Sequence, residues 1–581
     1  MNILANNNVM SPAFIYSRSN KISRSDLKKQ APAKKKSGRK TIDKTKNQST
    51  SYLLYIFSAV LTTLYLYSRI ITLQVPLSRD EGAYAYLGRL AMNGKIPYRD
   101  FYEMKPPLLY YLYGTGGFLF GYSDTGLRLF ALFLNLATAF IIYKTCRKIF
   151  NKPVSFFASS TYLILLINAA AFGFAMISEH LVNLFLAAAF LVLLNRNYKY
   201  NVFVSGFIFG LALMIKQSAL IIAAPAFLYI VFQAWKERDK VNFYKPILFF
   251  GAAYLTVVIL AVLALNVSGA LKEAVYWLWT HPSQYASSVE SKNILGYFIN
   301  SINALYSQSP VLLSIFVISL LWSAGRFLKS KKLIDGFLVL LFGFSFLTVF
   351  PGFRFYGQYW QLVFPSAAIL IASMWNALEN SGYFSGIKIK FITWALAIVI
   401  TYDIVSHSVY FKTKEIDLIV RQAYSENPFI EIKKLSNLLG ERLLPEDKIF
   451  VFGSEPQVYV YTKKNAISKH FYHTFLSNNN AENKAREQEC IADFNREKPK
   501  YAVLNLFPIS WMFKENSSQF VYTNAFKILE KAYEKILVYD FNSKQIIDGA
   551  NAKKFDTYSG SAVIVYQLKS NEKQVNKTIP D

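Results

Sequence analysis

The 581-residue chain has the composition of a membrane protein, because 53% of its residues are hydrophobic, 17% are aromatic and its mean hydropathy is positive. The net charge of +28 is concentrated in residues 18–46, where Lys and Arg outnumber Asp and Glu by twelve to two, and in short loops between apolar runs. Such loops indicate membrane topology rather than nucleic-acid binding. Only Cys146 and Cys490 occur, far apart and without a CxxC or His-rich neighbourhood, and they suggest neither a disulfide framework nor a zinc site.

The first fifty residues form a polar, basic segment without helical or strand periodicity. This composition predicts a disordered cytoplasmic tail, residues 1–50, that can contact anionic lipid. The apolar run at 52–73 that follows is long enough to cross a bilayer. It therefore predicts a first transmembrane helix rather than a cleaved signal peptide.

Apolar runs of about 20 residues predict roughly eleven transmembrane helices within residues 51–412. The fifth run is short and continues almost directly into the sixth. The predicted spans lie at 52–73, 126–144, 153–171, 174–194, 202–215, 217–235, 246–266, 310–325, 333–350, 360–377 and 391–411.

Basic residues fix the predicted orientation of these helices. The N-terminal tail and five further basic segments all fall on one side, which is therefore cytoplasmic. We accordingly expect a multi-pass protein of the inner or plasma membrane with its N-terminus in the cytoplasm and its C-terminus outside. The five segments lie at 144–152, 195–200, 235–245, 326–332 and around 388–390, and the predicted outer segments are 74–125, 267–309, 351–360 and everything after about 412.

Residues 413–581 differ in character from the rest of the chain. Charged, mixed sequence here is interrupted by short β-like runs at 448–454, 458–462, 501–507 and 561–568, separated by helical polar segments. About 170 residues can bury a core of their own. The alternation predicts a small extracytoplasmic α/β domain.

The most informative polar stretch is 78–109 in the first outer loop, SRDEGAYAYLGRLAMNGKIPYRDFYEMKPPLL. Asp80 stands where a helix ending near Gly94 would begin, so it is either the helix N-cap or a carboxylate that performs chemistry. Glu81 suits the first turn of that helix, where the dipole favours negative charge. The spacing of Tyr84, Leu87 and Ala91 predicts an amphipathic helix that lies along the membrane surface.

Further along the same loop, Glu103 and Lys105 precede the pair Pro106–Pro107. These residues form either a solvated loop stiffened by the prolines or a rigid mount for a lysine that binds a phosphate. The many tyrosines nearby are explained by an interfacial aromatic belt, although sugars also favour aromatic faces.

Further candidate side chains lie outside this stretch. Glu179 and Lys216 lie at the predicted outer ends of apolar runs, where ionisable groups cost roughly 2.5–3.5 kcal/mol and are functional by default unless they snorkel to the interface. Arg354 and Tyr356, in PGFRFYGQYWQLVFPS at 351–366, suit bidentate phosphate binding or an interfacial belt. Arg128 is interpreted as an interfacial anchor or a structural partner of Asp124.

With these residues in view, the chain resembles the GT-C glycosyltransferases, and in particular glycosyltransferase family 39, which is related to the protein O-mannosyltransferases and the lipid A aminoarabinose transferases. The resemblance covers about 51–412, and Met104 separates a Glu and a Lys that the aminoarabinose transferases tend to have adjacent. The resembling segments, in the family's order, are RDEGAYAYLGRLAMNGKIPYRDFYEMKPPLLYYLYG, RLFALFLNL, SEHLVNLFL, GLALMIKQSALIIAAP and GFRFYGQYWQLVFPSAAIL.

The resemblance implies transfer of a sugar from a polyprenyl-phosphate carrier to a lipid, glycan or protein acceptor on the outer face of the membrane, with inversion at the anomeric carbon. Asp80 would be the catalytic base. The remaining candidates for donor-phosphate or substrate binding are Lys105, Arg354, Glu103, Glu81, Lys216, Glu179 and Tyr356. No cofactor is required by these residues, and use of a divalent metal stays open.

Two other classes of function remain open at the level of sequence. A transporter or flippase of a lipid-linked saccharide would use the same cations without a base, and would carry charges deep within its spans or repeated halves. A non-catalytic scaffold that displays the outer domain would tolerate the combined loss of Asp80, Glu103 and Lys105.

Overall fold

A computed structural model describes residues 37–195, 198–236, 243–287, 289–331, 333–381, 386–558 and 561–569. The chain divides into two units, residues 1–49 and 50–581, and the account below concerns the second. Residues 1–36 of the predicted tail lie outside the described residues. So do parts of the predicted cytoplasmic loops at 195–200, 235–245 and 326–332.

Helices make up most of the described structure. They are α1 (Ser37–Ile71), α2 (Arg79–Met92), α3 (Leu108–Phe120), α4 (Asp124–Cys146), α5 (Lys152–Leu165), α6 (Ser178–Leu193), α7 (Tyr198–Leu213), α8 (Ala219–Lys236), α9 (Tyr244–Val267), α10 (Leu271–Val275), α11 (His281–Ser287), α12 (Ser291–Tyr306), α13 (Pro310–Ser330), α14 (Leu333–Leu347), α15 (Phe364–Asn380), α16 (Gly386–His407), α17 (Val409–Lys412), α18 (Ile416–Tyr424), α19 (Phe429–Gly440), α20 (Gln457–Tyr461), α21 (Ala481–Glu497), α22 (Phe520–Ala532) and α23 (Gly549–Lys553).

Six segments of the described helices are long and apolar enough to cross a membrane: 51–74, 124–146, 219–236, 244–267, 310–329 and 387–407. Three shorter apolar helices lie at 178–193, 200–213 and 333–347. These nine segments match nine of the eleven predicted spans, and the other two predicted spans correspond to α5 and α15, which are shorter than predicted.

The predicted span at 153–171 ends early because Asn168 interrupts the helix. Helix α5 stops at Leu165, and a short 3₁₀ turn follows at Ala169–Ala171. The Asn168 side chain accepts a hydrogen bond from the Ala170 N–H (3.1 Å) and donates one to the Leu305 carbonyl (2.8 Å). An Asn that satisfies the backbone in this way competes with continuation of a helix.

The C-terminal region contains a five-stranded mixed sheet with strand order β1-β2-β5-β3-β4. Strands β1 and β2 are parallel, and the other pairs are antiparallel. The predicted runs at 448–454, 501–507 and 561–568 are confirmed as β1, β2 and β5. The strands are β1 (Ile449–Phe452), β2 (Tyr501–Asn505), β3 (Tyr533–Asp540), β4 (Gln545–Asp548) and β5 (Ala562–Leu568).

The strand predicted at 458–462 is wrong, because this segment forms helix α20. The chain turns at Gly453, whose φ of +125° suits glycine, and Pro456 then occupies the N-cap of α20. The helix packs between the sheet and α2, and the Tyr459 hydroxyl accepts a hydrogen bond from the Val451 N–H of β1 (2.9 Å). Because this helix is buried on both sides, its residues are apolar at almost every position, and the segment lacks a polar face that would indicate a helix.

Helix α2 is buried on nearly all sides rather than along one apolar face, so the predicted amphipathic pattern is wrong, while its position along the membrane surface stays a prediction. Its buried residues include Tyr84 and Leu87 of the predicted apolar face and also Ala85 and Tyr86. Packing against α3 on one side and α20 on another explains this burial. One continuous apolar core joins α2, α3 and α6 to β1 and β5 of the sheet.

The contact between α2 and α20 depends on the absence of a side chain at Gly82. A Cβ atom placed there would lie 2.6 Å from the backbone nitrogen of Gln457. By contrast, a Cβ at Gly251 of α9 would meet no atom within 4 Å. Gly82 therefore sets the distance at which the C-terminal region packs on the helix that carries Asp80.

We expect Gly82→Ala to destabilise the protein by about 1–3 kcal/mol, since overpacking forces the backbones apart. Gly251→Ala is the matched control, and it should be neutral or stabilising because alanine is the better helix former. Thermal unfolding of the purified variants in detergent measures both effects. An unchanged unfolding temperature for Gly82→Ala would show that this packing contributes little.

Candidate active site

The N-terminus of α2 is capped by Ser78, so the reading of Asp80 as the N-cap is wrong. Ser78 and Glu81 form a capping box in which the Ser78 side chain accepts from the Glu81 N–H and the Glu81 carboxylate accepts from the Ser78 N–H (3.0 Å). Asp80 is left partly exposed in the first turn. No side chain of the described residues is hydrogen-bonded or ion-paired to its carboxylate. Asp80 is therefore available to a substrate.

Glu81 occupies a different environment from its neighbour. Its side chain is fully buried and forms an ion pair with Arg128 of α4. It also accepts hydrogen bonds from the Met176 N–H (2.7 Å) and from the Tyr424 hydroxyl (3.3 Å). The predicted partnership of Arg128 with Asp124 is wrong, because Asp124 instead pairs with Lys433 at 2.6 Å. The predicted substrate contact of Glu81 stays a prediction, and its surroundings favour a structural role.

The loop that carries Glu103 and Lys105 is held by hydrogen bonds to its backbone. Buried Glu103 accepts from the Lys105 N–H (2.8 Å), and the hydroxyls of Tyr98 (2.5 Å) and Tyr110 (2.9 Å) donate to the Lys105 carbonyl. The Lys105 side chain is partly exposed, and within the described ranges no carboxylate lies within 4 Å of its ammonium group. The loop thus presents an unpaired cation from a fixed backbone.

Glu179 in the first turn of α6 forms an ion pair with Lys216, which follows α7. The Lys216 ammonium also lies 4.4 Å from the centre of the Tyr359 ring. The next residue, Gln217, donates to the Met104 carbonyl (2.9 Å) and so connects this pair to the Lys105 loop. Both side chains of the pair are buried, so the alternative interpretation, in which they snorkel to the interface, does not describe them.

The charges of these groups act on Asp80 together. Burial raises the pKa of Asp80 above its ordinary value of 3.8. The positive charge of Lys105 opposes that rise most strongly, Lys216 opposes it less, and Glu179 adds to it. Burial likewise raises the pKa of Glu103, with Lys105 opposing and Asp80 adding to the rise. The five predicted residues therefore form one electrostatic cluster.

Arg354 and Tyr356 lie in the loop between α14 and α15. The Arg354 guanidinium stacks 4.2 Å from the centre of the Tyr285 ring, and the Tyr285 and Tyr356 hydroxyls are 3.0 Å apart. Tyr359 connects this group to the cluster around Asp80. Burial raises the pKa of the Tyr359 phenol, Glu179 and Asp80 add to the rise, and Arg354 opposes it.

The C-terminal region contributes to the site in a way that the sequence did not indicate. Arg79, next to Asp80, forms an ion pair with buried Glu455 at 2.7 Å, and Glu455 also accepts from the Asn505 side chain (3.1 Å). Burial raises the pKa of the Tyr472 phenol, and the charge of Asp80 raises it further. Neither 455 nor 472 lies in a periodic pattern, and the only sequence signal was the aromatic and histidine-rich run KHFYH at 469–473.

No group of three or more His, Cys, Asp or Glu side chains within the described part of the chain is placed to hold a metal ion. Two acids of the site instead form ion pairs with basic side chains: Glu179 with Lys216, and Glu81 with Arg128.

Residues 104–265 match the family described as dolichyl-phosphate-mannose-protein mannosyltransferase. Among solved structures, the chain is similar to ArnT from Cupriavidus metallidurans bound to undecaprenyl phosphate, with 12% identity, a TM-score of 0.55 and coverage of 89% of this chain and 98% of ArnT. The apo form of ArnT gives 10% identity, a TM-score of 0.54 and coverage of 87% and 97%. An oligosaccharyltransferase from Archaeoglobus fulgidus gives 13% identity, a TM-score of 0.48 and coverage of 88% and 75%. No curated protein matches the chain.

The similarity to the two ArnT structures defines the class: the chain has the GT-C fold of membrane glycosyltransferases. The match at 104–265 relates it, within that class, to the protein O-mannosyltransferase family, as the motifs predicted. It is a multi-pass integral membrane protein. The structure also brings the four predicted outer segments together, since Tyr102 stacks on Trp277, Tyr285 contacts Tyr356, and α2 packs on α20.

We expect Asp80→Asn to raise the thermal stability at neutral pH. A carboxyl whose pKa is raised in the folded state binds more protons when folded than when unfolded, so the stability falls as the pH rises through 3.8 to the raised value. At neutral pH the ionised side chain therefore costs stability, which asparagine does not. Unfolding temperatures of both proteins at neutral pH and near pH 4 measure the difference, which should shrink in acid. A less stable Asp80→Asn protein at neutral pH would contradict it.

Proposed function

We propose that the protein is a membrane glycosyltransferase that moves a sugar from a polyprenyl-phosphate-linked donor to an acceptor hydroxyl on the outer face of the membrane. The observation that carries this proposal is the partly exposed Asp80 carboxylate, which has no hydrogen-bond or ion-pair partner among the described residues, together with the Lys105 ammonium, which has no acidic partner there and opposes the rise in the pKa of Asp80. The family match to mannosyltransferases supports it. So does the fold shared with ArnT, which was solved with undecaprenyl phosphate.

The reaction needs one base and one site for a departing anion. Asp80 accepts the proton of the acceptor hydroxyl while the hydroxyl oxygen forms a bond to the anomeric carbon. At the same time, the bond from that carbon to the lipid phosphate oxygen breaks. The electron pair stays on the phosphate. A single displacement of this kind inverts the anomeric configuration. Positioned bases contribute roughly 10²–10⁴-fold to rate.

The cations of the site do not have equal roles in this proposal. Lys216 is already neutralised by Glu179, whereas Lys105 has no acidic partner among the described residues. Lys105 is therefore the main cation for the donor phosphate, which gains negative charge as the bond breaks. Arg354, stacked on Tyr285, is the second. The Glu179–Lys216 pair has a structural role in this proposal, since the Lys216 ammonium packs against the Tyr359 ring at 4.4 Å from its centre.

We expect Asp80→Asn to lower the transfer rate roughly 10²–10⁴-fold, because asparagine cannot accept the proton. The assay supplies membranes or proteoliposomes with radiolabelled undecaprenyl-phosphate hexoses and pentoses and measures transfer of label. Asp100→Asn is the matched control, since Asp100 lies in the same loop and is paired with Arg99 at its surface. Unchanged transfer by Asp80→Asn would remove Asp80 from catalysis. Movement of the labelled lipid across the bilayer without sugar transfer would favour the flippase.

We expect Lys105→Ala to lower kcat/KM for the donor by roughly 10²-fold, because enzymes lose about this much when one group that stabilises the charge developing in the transition state is removed. Lys95→Ala is the matched control, because Lys95 is an exposed lysine in the same loop. Binding of undecaprenyl phosphate to each variant, measured by thermal shift, separates donor affinity from turnover. Equal binding and turnover in Lys105→Ala and Lys95→Ala would contradict the phosphate assignment.

A further inference from the structure

Tyr102, one residue before Glu103, is hydrogen-bonded to the C-terminal region. Its hydroxyl contacts Nδ1 of His470, and Nε2 of His470 lies 2.9 Å from Oε2 of Glu489 in α21. Tyr102 and His470 are both buried. The three side chains form a continuous hydrogen-bonded chain that runs from the loop into the C-terminal region.

The direction of these hydrogen bonds follows from the chemistry of the groups. The hydrogen bond with His470 lowers the pKa of Glu489 to about 2, so its carboxylate is ionised and can only accept. In the neutral imidazole, Nε2 must then carry the proton and Nδ1 must accept one. With the imidazole in this neutral form, the Tyr102 hydroxyl is the donor to His470, and this arrangement fixes the orientation of the phenol.

The Tyr102 ring is fixed by stacking as well. It lies parallel to the indole of Trp277, with 4.1 Å between ring centres and 7° between planes. Arg486, from the same helix as Glu489, covers the neighbouring Tyr276 ring at 3.9 Å and pairs with Glu273 at 3.1 Å. Tyr102 is thus held between α21 and the segment that joins α10 to α11.

Tyr102 is well placed to control the site, because the loop around it contains little regular structure. Between α2 and α3 the backbone is held partly by side chains, with Tyr98 and Tyr110 on the Lys105 carbonyl and Gln217 on the Met104 carbonyl. Tyr102 is the phenol that ties this loop to the C-terminal region. Small displacements of a positioned group cost large factors in rate.

We propose that His470 is a positioning residue that acts through Tyr102 to hold Glu103 and Lys105 in the geometry that the reaction needs. The C-terminal region is then part of the active site and not an appended domain. An effect of His470 on the transfer rate rests on the proposed function. The contact through which His470 holds the loop does not.

The first test is a double-mutant cycle in the full-length protein, with Tyr102→Phe, His470→Ala and the double variant. We expect each single variant to lower kcat/KM for the labelled lipid donor by roughly 10-fold and the double variant to lower it no further, because all three remove the same contact. Tyr102→Phe removes a single oxygen atom and keeps the stacking ring, so it tests the contact even where His470→Ala folds poorly. Wild-type kinetics in Tyr102→Phe, or effects that multiply in the double variant, would overturn the proposal.

The second test is hydrogen–deuterium exchange of the peptide that spans 98–105. We expect faster exchange in Tyr102→Phe and His470→Ala than in the wild-type protein, since a released loop opens more often. Lys469→Ala is the matched control, because Lys469 pairs with the other oxygen of Glu489 at 2.9 Å and has no contact with Tyr102. It should exchange like the wild-type protein.

The two tests separate the two proposals. A wild-type protein that transfers no sugar from any donor would contradict the proposed function, while exchange of the 98–105 peptide would still decide whether His470 holds the loop. Unchanged exchange in both Tyr102→Phe and His470→Ala would overturn the positioning role even if the enzyme is active.

Discussion

The buried ion pair between Glu81 and Arg128 is the interaction on which the arrangement of the site depends. Its carboxylate also completes the capping box with Ser78 and accepts from the Met176 N–H, so one side chain joins α2, α4 and the segment before α6. Removing one partner of a buried pair costs about 3–5 kcal/mol, because the other charge stays buried without compensation. Glu81 therefore fixes the start of α2 and with it the position of Asp80.

Ion pairing within the protein also determines which charged side chains can interact with a substrate. Glu81 is ion-paired with Arg128 and Glu179 with Lys216, so the negative charge of each is already compensated within the protein. Asp80 and Lys105 have no such partner within the described residues, and burial raises the pKa of Asp80 while nearby cations limit that rise. A carboxylate that is costly to keep ionised is a stronger base than an exposed one, which suits the proton transfer that we propose.

Much of the fold and part of the site could be predicted from the sequence. Apolar runs gave the positions of the long helices, and three of the four predicted strands lie where the alternation placed them. The errors concern residues whose role depends on distant partners. Local rules cannot distinguish Asp80 from Ser78 as the N-cap of α2, and burial on both sides of 458–462 hides the helical period of that segment. Proximity in sequence favours Asp124 as the partner of Arg128, whereas its partner is Glu81, 47 residues away.

The sequence by itself determined the membrane class, the family resemblance and the acids and cations that converge, since hydropathy, charge and short motifs are local properties. Only the tertiary structure decided which acid pairs with which cation, because an ion pair forms only where two segments of the chain come into contact. It also decided that α2 is buried between the helices and the C-terminal sheet, a contact that Gly82 permits. The link from Tyr102 to His470 spans 368 residues, and no pattern along the chain encodes a contact of that kind.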